Sequence, residues 1–253
     1  GGPRLLYALN KSHGLASVTT INRHNKIPQL LPSIASPSAE DASTNITSFF
    51  NPEIKPPPSI PHGETLPGNV VIVDRVAINE KCQYCSRRNC ILGLCREHAD
   101  AVDLQVNSLE SVEAVQKALD LPKDSPGHVC YGKDATVLAI APYTRADHYT
   151  PVPIIVSPSC KSEKGDMLAK WLKIVVAAWQ RHKYGECLNG PLWAIATDGE
   201  STFRLAKFLL YMTEQVAPDS DLGKILHPLL GLNCWTGEHG LVGTCDPKHI
   251  IKR

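Results

Sequence analysis

An aspartate in a predicted strand is the first residue with the chemistry to bind a metal ion. Residues 70–78 form a strongly β-branched run, and the alternation of a strand places Asp74 among apolar side chains on one face of a sheet. Burying an unpaired carboxylate costs several kcal/mol. We therefore expect Asp74 to hold a metal ion, to meet a cation or to carry a proton.

A second aspartate follows another short apolar run. Residues 192–197 predict a buried strand, and Asp198 comes directly after it. Ligands gather at such strand ends in α/β sheets, although a helix cap also belongs there. If the two strands are neighbours, Asp74 and Asp198 can share a hard divalent cation such as Mg²⁺.

A cysteine-rich stretch offers a second group of metal ligands. Four cysteines have the spacing of a zinc knuckle with cysteine in place of its histidine, and a histidine follows them. These residues are Cys82, Cys85, Cys90, Cys95 and His98. Residues 91–96 also predict a strand that pairs with residues 70–78, and such a strand would hold Cys90 and Cys95 about 16 Å apart. We therefore predict reduced thiols here, with a zinc site as the alternative.

The elements that must position these residues lie in three segments. Residues 1–27 predict a short helical segment, either a packed helix pair or a DNA-binding helix-turn-helix. Half of the 20 prolines precede Asn69, and residues 28–68 are predicted to form a linker without regular structure. From residue 69 to 253, predicted strands and helices follow one another, which favours a mixed sheet covered by helices.

The hydrophobic periodicity after residue 100 predicts four helices and three strands. The helices span residues 108–121, 167–181, 202–215 and 222–230, and the strands span residues 135–141, 152–156 and 192–197.

Composition excludes several classes of protein. The 26 Lys and Arg residues against 25 Asp and Glu give a net charge of +1, so any DNA contact must come from local patches. No apolar run approaches the roughly 18 residues of a membrane span, so we predict no membrane association. Nine cysteines are an odd number for a disulfide framework, and the first residues lack a secretory signal. These features predict a reducing, intracellular setting.

Five motifs occur together in one order along the chain. They are residues 70–74, 93–98, 160–163, 196–200 and 246–253. In this order they resemble the front part of eukaryotic DDE-type transposases of the P element group, over about residues 69–253. Asp74 and Asp198 match the first and second catalytic acids of that family, and Asp246 and His249 match its Asp-x-x-His signature. From the residues alone, Asp246 is a helix cap and His249 a structural histidine.

The resemblance implies an RNase H-like fold and two-metal phosphoryl transfer that cuts and joins DNA. Mg²⁺ or Mn²⁺ would be held by Asp74 and Asp198, and transposon ends would be the DNA partner, in the nucleus. The family's third acid, a glutamate, is expected beyond Arg253. We therefore expect a fragment, a decayed copy or a domesticated core, with a fold incomplete at its C-terminus and no activity alone. Self-association is left open. The alternative is a noncatalytic zinc-binding module for nucleic acid or protein, built around residues 82–98.

Overall fold

The computed structural model describes residues 28–58, 65–143 and 150–245, and the single residues 7, 11, 17 and 20. The helical segment predicted for residues 1–27 thus lies outside the described residues, apart from those four positions. In the described parts of the chain, none of the helices has the length and apolar character that crossing a membrane requires.

The core of the fold is one mixed sheet of five strands. These are β1 (Asn69–Ala77), β4 (Asp134–Pro142), β5 (Val152–Ser159), β6 (Leu192–Thr197) and β9 (Val242–Cys245). They lie in the order β5-β4-β1-β6-β9. β4 is antiparallel to both β1 and β5, whereas β1, β6 and β9 are parallel. This is the arrangement of an RNase H-like fold, so the predicted fold class is confirmed.

Helices cover the sheet. They are α1 (Ala39–Phe50), α2 (Leu109–Asp120), α3 (Gly165–Arg181), α4 (Glu186–Asn189), α5 (Ser201–Tyr211) and α6 (Asp221–Leu226). The main core cluster joins α1, α3 and α5 to one face of the sheet. Trp171 and Trp179 on α3 pack there with Phe203 of α5, and all three are almost fully buried. Burying each such side chain contributes about 1.5–3 kcal/mol.

Helix α1 contradicts the prediction that residues 28–68 lack regular structure. The Ser38 hydroxyl accepts a hydrogen bond from the Asp41 N–H, and the Asp41 carboxylate accepts one from the Ser38 N–H, which caps the helix. Ala42, Ile46 and Phe50 recur at helical spacing and are buried in the core. No proline interrupts residues 38–51, so the local sequence permits a helix within a proline-rich stretch.

The C-terminal end of α3 contacts α1 through a histidine. His182 Nε2 lies 3.0 Å from Thr47 Oγ1, and His182 Nδ1 accepts a hydrogen bond of 3.1 Å from the Tyr184 N–H. Burial, and then the charge of Lys183, lower the pKa of His182. Because Nδ1 already accepts a backbone hydrogen bond, the geometry suits the neutral imidazole.

The predicted pairing of residues 91–96 with residues 70–78 is wrong. β1 pairs instead with β4 and β6. The cysteine-rich stretch forms its own short hairpin of β2 (Gln83–Cys85) and β3 (Cys90–Leu92). Ile91 and Leu94 pack in a second, smaller core with Val115 of α2 and Val129. β3 spans only Cys90–Leu92, whereas β4 pairs with β1 along its whole length and so offers more cross-strand contacts.

A second small two-stranded sheet lies between α5 and β9 in the chain. β7 (Glu214–Gln215) pairs with β8 (Trp235–Thr236). The predicted helix of residues 202–215 therefore ends earlier, at Tyr211, because residues 214 and 215 enter a strand.

Candidate functional site

The two aspartates lie close together along two neighbouring strands of the sheet. β1 and β6 are neighbouring parallel strands, and Val73 lies opposite Thr197. Asp74 follows Val73 within β1, which continues to Ala77, and Asp198 directly follows the last residue of β6, so the two aspartates occupy neighbouring positions along this parallel pair. The prediction that the strands leading to Asp74 and Asp198 are neighbours is confirmed. The prediction that the two carboxylates share a cation stays a prediction.

Asp74 is exposed, which contradicts the prediction of a buried carboxylate. Val70 and Ile72 pack against Ala141 and Ala194 on that face of the sheet, but β1 extends past this cluster before it reaches Asp74. The carboxylate therefore reaches solvent, and no burial cost requires it to have a partner.

Each aspartate makes one local hydrogen bond. Asp74 Oδ1 accepts from the Arg75 N–H at 2.8 Å, and Asp198 Oδ1 accepts from the Glu200 N–H at 3.0 Å. Within the described part of the chain, neither carboxylate forms an ion pair with a basic side chain. Both retain oxygen lone pairs that a hard cation would accept as ligands.

The Arg75 side chain lies on the face of β1 opposite to Asp74 and links β1 to the residues that follow β6. Its Nη1 donates to both carboxylate oxygens of Glu200, each at 2.7 Å. Its guanidinium also stacks over the ring of Phe203, 4.8 Å from the centroid. Glu200 is therefore neutralised by Arg75 and is not a free third acid beside Asp74 and Asp198.

A buried ion pair continues from Arg75 into the core. Glu163 lies 3.8 Å from Arg75 Nη2, and it accepts hydrogen bonds from Arg96 Nε at 3.0 Å, from Arg96 Nη2, and from Trp171 Nε1 at 2.9 Å. Arg96 Nη1 donates to the Ser157 carbonyl at 2.9 Å. These contacts satisfy a carboxylate that would otherwise be costly to bury.

A cluster of three thiols and one imidazole lies next to Arg96, which directly follows Cys95 in the chain. Cys95, His98, Cys130 and Cys160 have ligand atoms that all lie within 4.8 Å of one another. His98 Nδ1 is 3.4 Å from Cys95 Sγ, 3.6 Å from Cys130 Sγ and 4.0 Å from Cys160 Sγ. The four residues come from three separate segments of the chain.

The predicted zinc-knuckle set is not assembled. Cys85 and Cys90 lie opposite each other in the β2–β3 hairpin, and Cys82 packs against the second core. Among the described residues, the one group with metal-binding geometry shares only Cys95 and the neighbouring His98 with the prediction. The register of the hairpin pairs Cys85 with Cys90 and leaves Cys95 beyond β3. The first three cysteines of the predicted set therefore lie apart from Cys95.

The pKa values of two thiols in the cluster are raised. Burial raises the pKa of Cys95 strongly, and burial followed by the proximity of Cys160 raises the pKa of Cys130 to about 11. The eight cysteines whose side chains are described are free thiols.

Cys130 and Cys160 are absent from the predicted set of ligands, because their approach to Cys95 depends on long-range strand pairing. β4 and β5 form an antiparallel pair in which Asp134 lies opposite Ser159. This register places Cys160 at the end of the β4–β5 pair, and Cys130 is held nearby because its carbonyl accepts a hydrogen bond from the Cys95 N–H. The spacing Cys95-x₂-His98 is typical of metal ligands, and these two residues complete a set of four with Cys130 and Cys160.

Two predicted site residues lie outside the described residues. These are Asp246 and His249. β9 ends at Cys245, which lies opposite Thr197 of β6. The match of Asp246 and His249 to the Asp-x-x-His signature stays a prediction.

Comparison with known proteins gave one structural similarity. No protein family matches the sequence, and no curated protein does. Among solved structures, the chain is similar to the Drosophila P element transposase strand transfer complex, with a TM-score of 0.44 and 11% sequence identity. The similarity covers 100% of this chain and 40% of that chain, so this chain spans less than half the length of its structural neighbour.

Proposed function

We propose that the chain is the metal-binding part of an RNase H-like transposase core, in which Asp74 and Asp198 hold Mg²⁺ or Mn²⁺ for phosphoryl transfer on DNA. The parallel pairing of β1 with β6 supports this proposal, because Asp74 and Asp198 directly follow the paired residues Val73 and Thr197. The transposase motifs in the sequence supply the reaction class. DNA ends as substrate, and a nuclear location, belong to the same proposal.

The donor atoms fit a hard divalent cation. Carboxylate oxygens are the ligands that Mg²⁺ and Mn²⁺ prefer, and an exposed strand end leaves room for water molecules and a phosphate. When bound, such ions activate the attacking water or 3′-hydroxyl and stabilise the leaving oxygen. Asp74 and Asp198 supply two of the carboxylates that this chemistry uses.

Arg75 is proposed to hold the two acids at a fixed separation. It extends from β1, next to Asp74, and bonds Glu200, two residues after Asp198. The Arg75 side chain is 8% exposed and the Glu200 side chain 40%, so the pair is shielded on the Arg75 side, and its two hydrogen bonds link β1 to the residues that follow β6. Arg75 would act as a positioning residue without contacting the metal or DNA.

Mn²⁺ binding to the purified chain tests the proposal directly. Free Mn²⁺ is measured by electron paramagnetic resonance during titration of the chain, of Asp74→Asn and of Asp198→Asn. We expect each variant to lose at least about tenfold in affinity, since a direct ligand is removed. Asp124→Asn, at an exposed turn, is the matched control and should bind Mn²⁺ as the unmodified chain does. Unchanged binding in both Asp74→Asn and Asp198→Asn would refute the proposal.

A second candidate function is a noncatalytic zinc-binding interaction module around residues 82–98. The cluster of Cys95 and His98 with two further cysteines favours metal binding in this region. The two candidates differ in the metal and in the residues that hold it. A chain that binds zinc but shows no Mn²⁺ binding dependent on Asp74 would favour the interaction module.

A further inference from the structure

We propose that Cys95, His98, Cys130 and Cys160 form a structural zinc site. This inference does not depend on the proposed function, because it involves neither aspartate. Three thiolates and one imidazole are the soft and intermediate ligands that Zn²⁺ binds in closed, four-coordinate sites. With four protein ligands available, the site would leave no position open for a substrate.

The distances between the ligand atoms match a tetrahedral ion. Zn–S bonds of about 2.3 Å and Zn–N bonds of about 2.05 Å place a sulfur and a nitrogen of one tetrahedron about 3.6 Å apart. The three distances from His98 Nδ1 to the sulfur atoms of Cys95, Cys130 and Cys160 are 3.4, 3.6 and 4.0 Å. The ideal value of about 3.6 Å lies within the range of these three distances.

Backbone hydrogen bonds hold the ligands in this arrangement. The Cys95 N–H donates to the Cys130 carbonyl at 2.8 Å, and the Cys160 N–H donates to Cys95 Sγ at 3.2 Å. A backbone N–H that donates to sulfur favours the thiolate form, which is the form that binds zinc. His98 is placed by a tight turn in which its N–H donates to the Cys95 carbonyl.

A carboxylate outside the ligand set anchors the turn that carries Cys160. Glu97 accepts hydrogen bonds from Ser159 Oγ at 2.7 Å and from Ser162 Oγ at 2.5 Å. These two serines flank Cys160 in the chain. Outer contacts of this kind orient ligands in metal sites.

The site would join the small second core to the main sheet. Cys95 and His98 belong to the segment after β3, whereas Cys130 and Cys160 flank the β4–β5 hairpin. Residues next to the ligands form the buried ion pair, since Arg96 follows Cys95 and Glu163 lies three residues after Cys160. Zinc at this position would therefore stabilise the packing of both cores on each other.

Metal content and cobalt spectroscopy of the full chain test the site. We expect one zinc per chain after purification with zinc present, and a visible spectrum of tetrahedral thiolate coordination when Co²⁺ replaces it. Cys130→Ser and Cys160→Ser should lose most of the bound metal. Cys85→Ser, from the predicted knuckle, and Cys187→Ser, at an exposed position, should keep one zinc per chain.

A variant that changes the ligand type separates coordination from misfolding. His98→Cys should still bind one Co²⁺ and should increase the thiolate-to-cobalt charge-transfer absorption by about a third, from three thiolates to four. No zinc in the unmodified chain, or zinc lost in Cys85→Ser and retained in Cys130→Ser, would overturn the proposal. An unchanged cobalt spectrum in His98→Cys would remove His98 from the site and would also overturn it as stated.

Discussion

Replacement of Arg96 by methionine is expected to destabilise the chain strongly. The side chains of Arg96 and Glu163 are 1% and 2% exposed, so water screens their charges very little. Arg96→Met leaves the Glu163 carboxylate buried without its main partner. Breaking one side of a buried ion pair costs about 3–5 kcal/mol in free energy of unfolding.

The remaining contacts of Glu163 place the expected cost near the lower end of that range. Trp171 Nε1 still donates to the carboxylate, and the guanidinium of Arg75 stays 3.8 Å away. We therefore expect a loss of about 3 kcal/mol, or a fall in melting temperature of about 6–12 °C for a chain of this size. Urea unfolding at one fixed zinc concentration measures the change.

An exposed ion pair provides the control. Lys173 and Glu238 are paired but are 60% and 57% exposed, so Lys173→Met should cost less than about 1 kcal/mol. The double variant Arg96→Met with Glu163→Gln removes both charges and keeps an acceptor for Trp171. It should be more stable than Arg96→Met alone by about 1–2 kcal/mol. A loss below about 1 kcal/mol in Arg96→Met, or no recovery in the double variant, would refute the reasoning.

Three further predictions concern other parts of the chain. Phe50→Ala should cost about 3–5 kcal/mol in urea unfolding because the ring is buried, whereas exposed Ile54→Ala should change stability by less than about 0.5 kcal/mol. Equal effects would mean that α1 does not pack in the core. The pKa of His182 is lowered on folding, so the unfolded chain binds the proton first and stability falls as pH drops below about 6.5. His182→Gln should weaken this dependence in unfolding between about pH 5 and pH 8, and an unchanged dependence would contradict the assignment. Labelled duplex DNA with Mn²⁺ should show no appreciable cleavage or joining, because Glu200 is already neutralised in an ion pair. Robust cleavage that disappears in Asp74→Ala would show that a third acid lies within these 253 residues.

Local patterns in the sequence determined most elements of the sheet and its main helices. The run of residues 192–197 predicts β6 with the bounds that the structure has, and a helix predicted for residues 108–121 appears as Leu109–Asp120 after its Ser108 cap. Caps, turns and periodicity act over a few residues, so a single sequence contains them in full. The same reasoning identified Asp74 as a residue within a strand and Asp198 as the residue that follows one.

The tertiary structure alone decided which strands pair with β1 and that the Asp74 side chain is exposed. The β-branched run at residues 70–78 predicts a strand, but it does not say whether the strand lies beside residues 91–96 or between β4 and β6. That choice depends on long-range pairing, and in the fold β1 pairs along its whole length with β4 and over Asn69–Val73 with β6. Burial of Asp74 depends on where the covering cluster stops, which is also a property of the assembled fold.

The Cys/His cluster shows most clearly which features follow from the local sequence and which follow from the tertiary structure. The sequence contained all four residues, and the short spacing of Cys95 and His98 was visible in it. Cys130 and Cys160 join them only because the antiparallel register of β4 and β5 brings their flanking residues together and places that end of the hairpin beside residue 95. Contacts between residues far apart in the chain depend on this long-range pairing, which local periodicity does not encode.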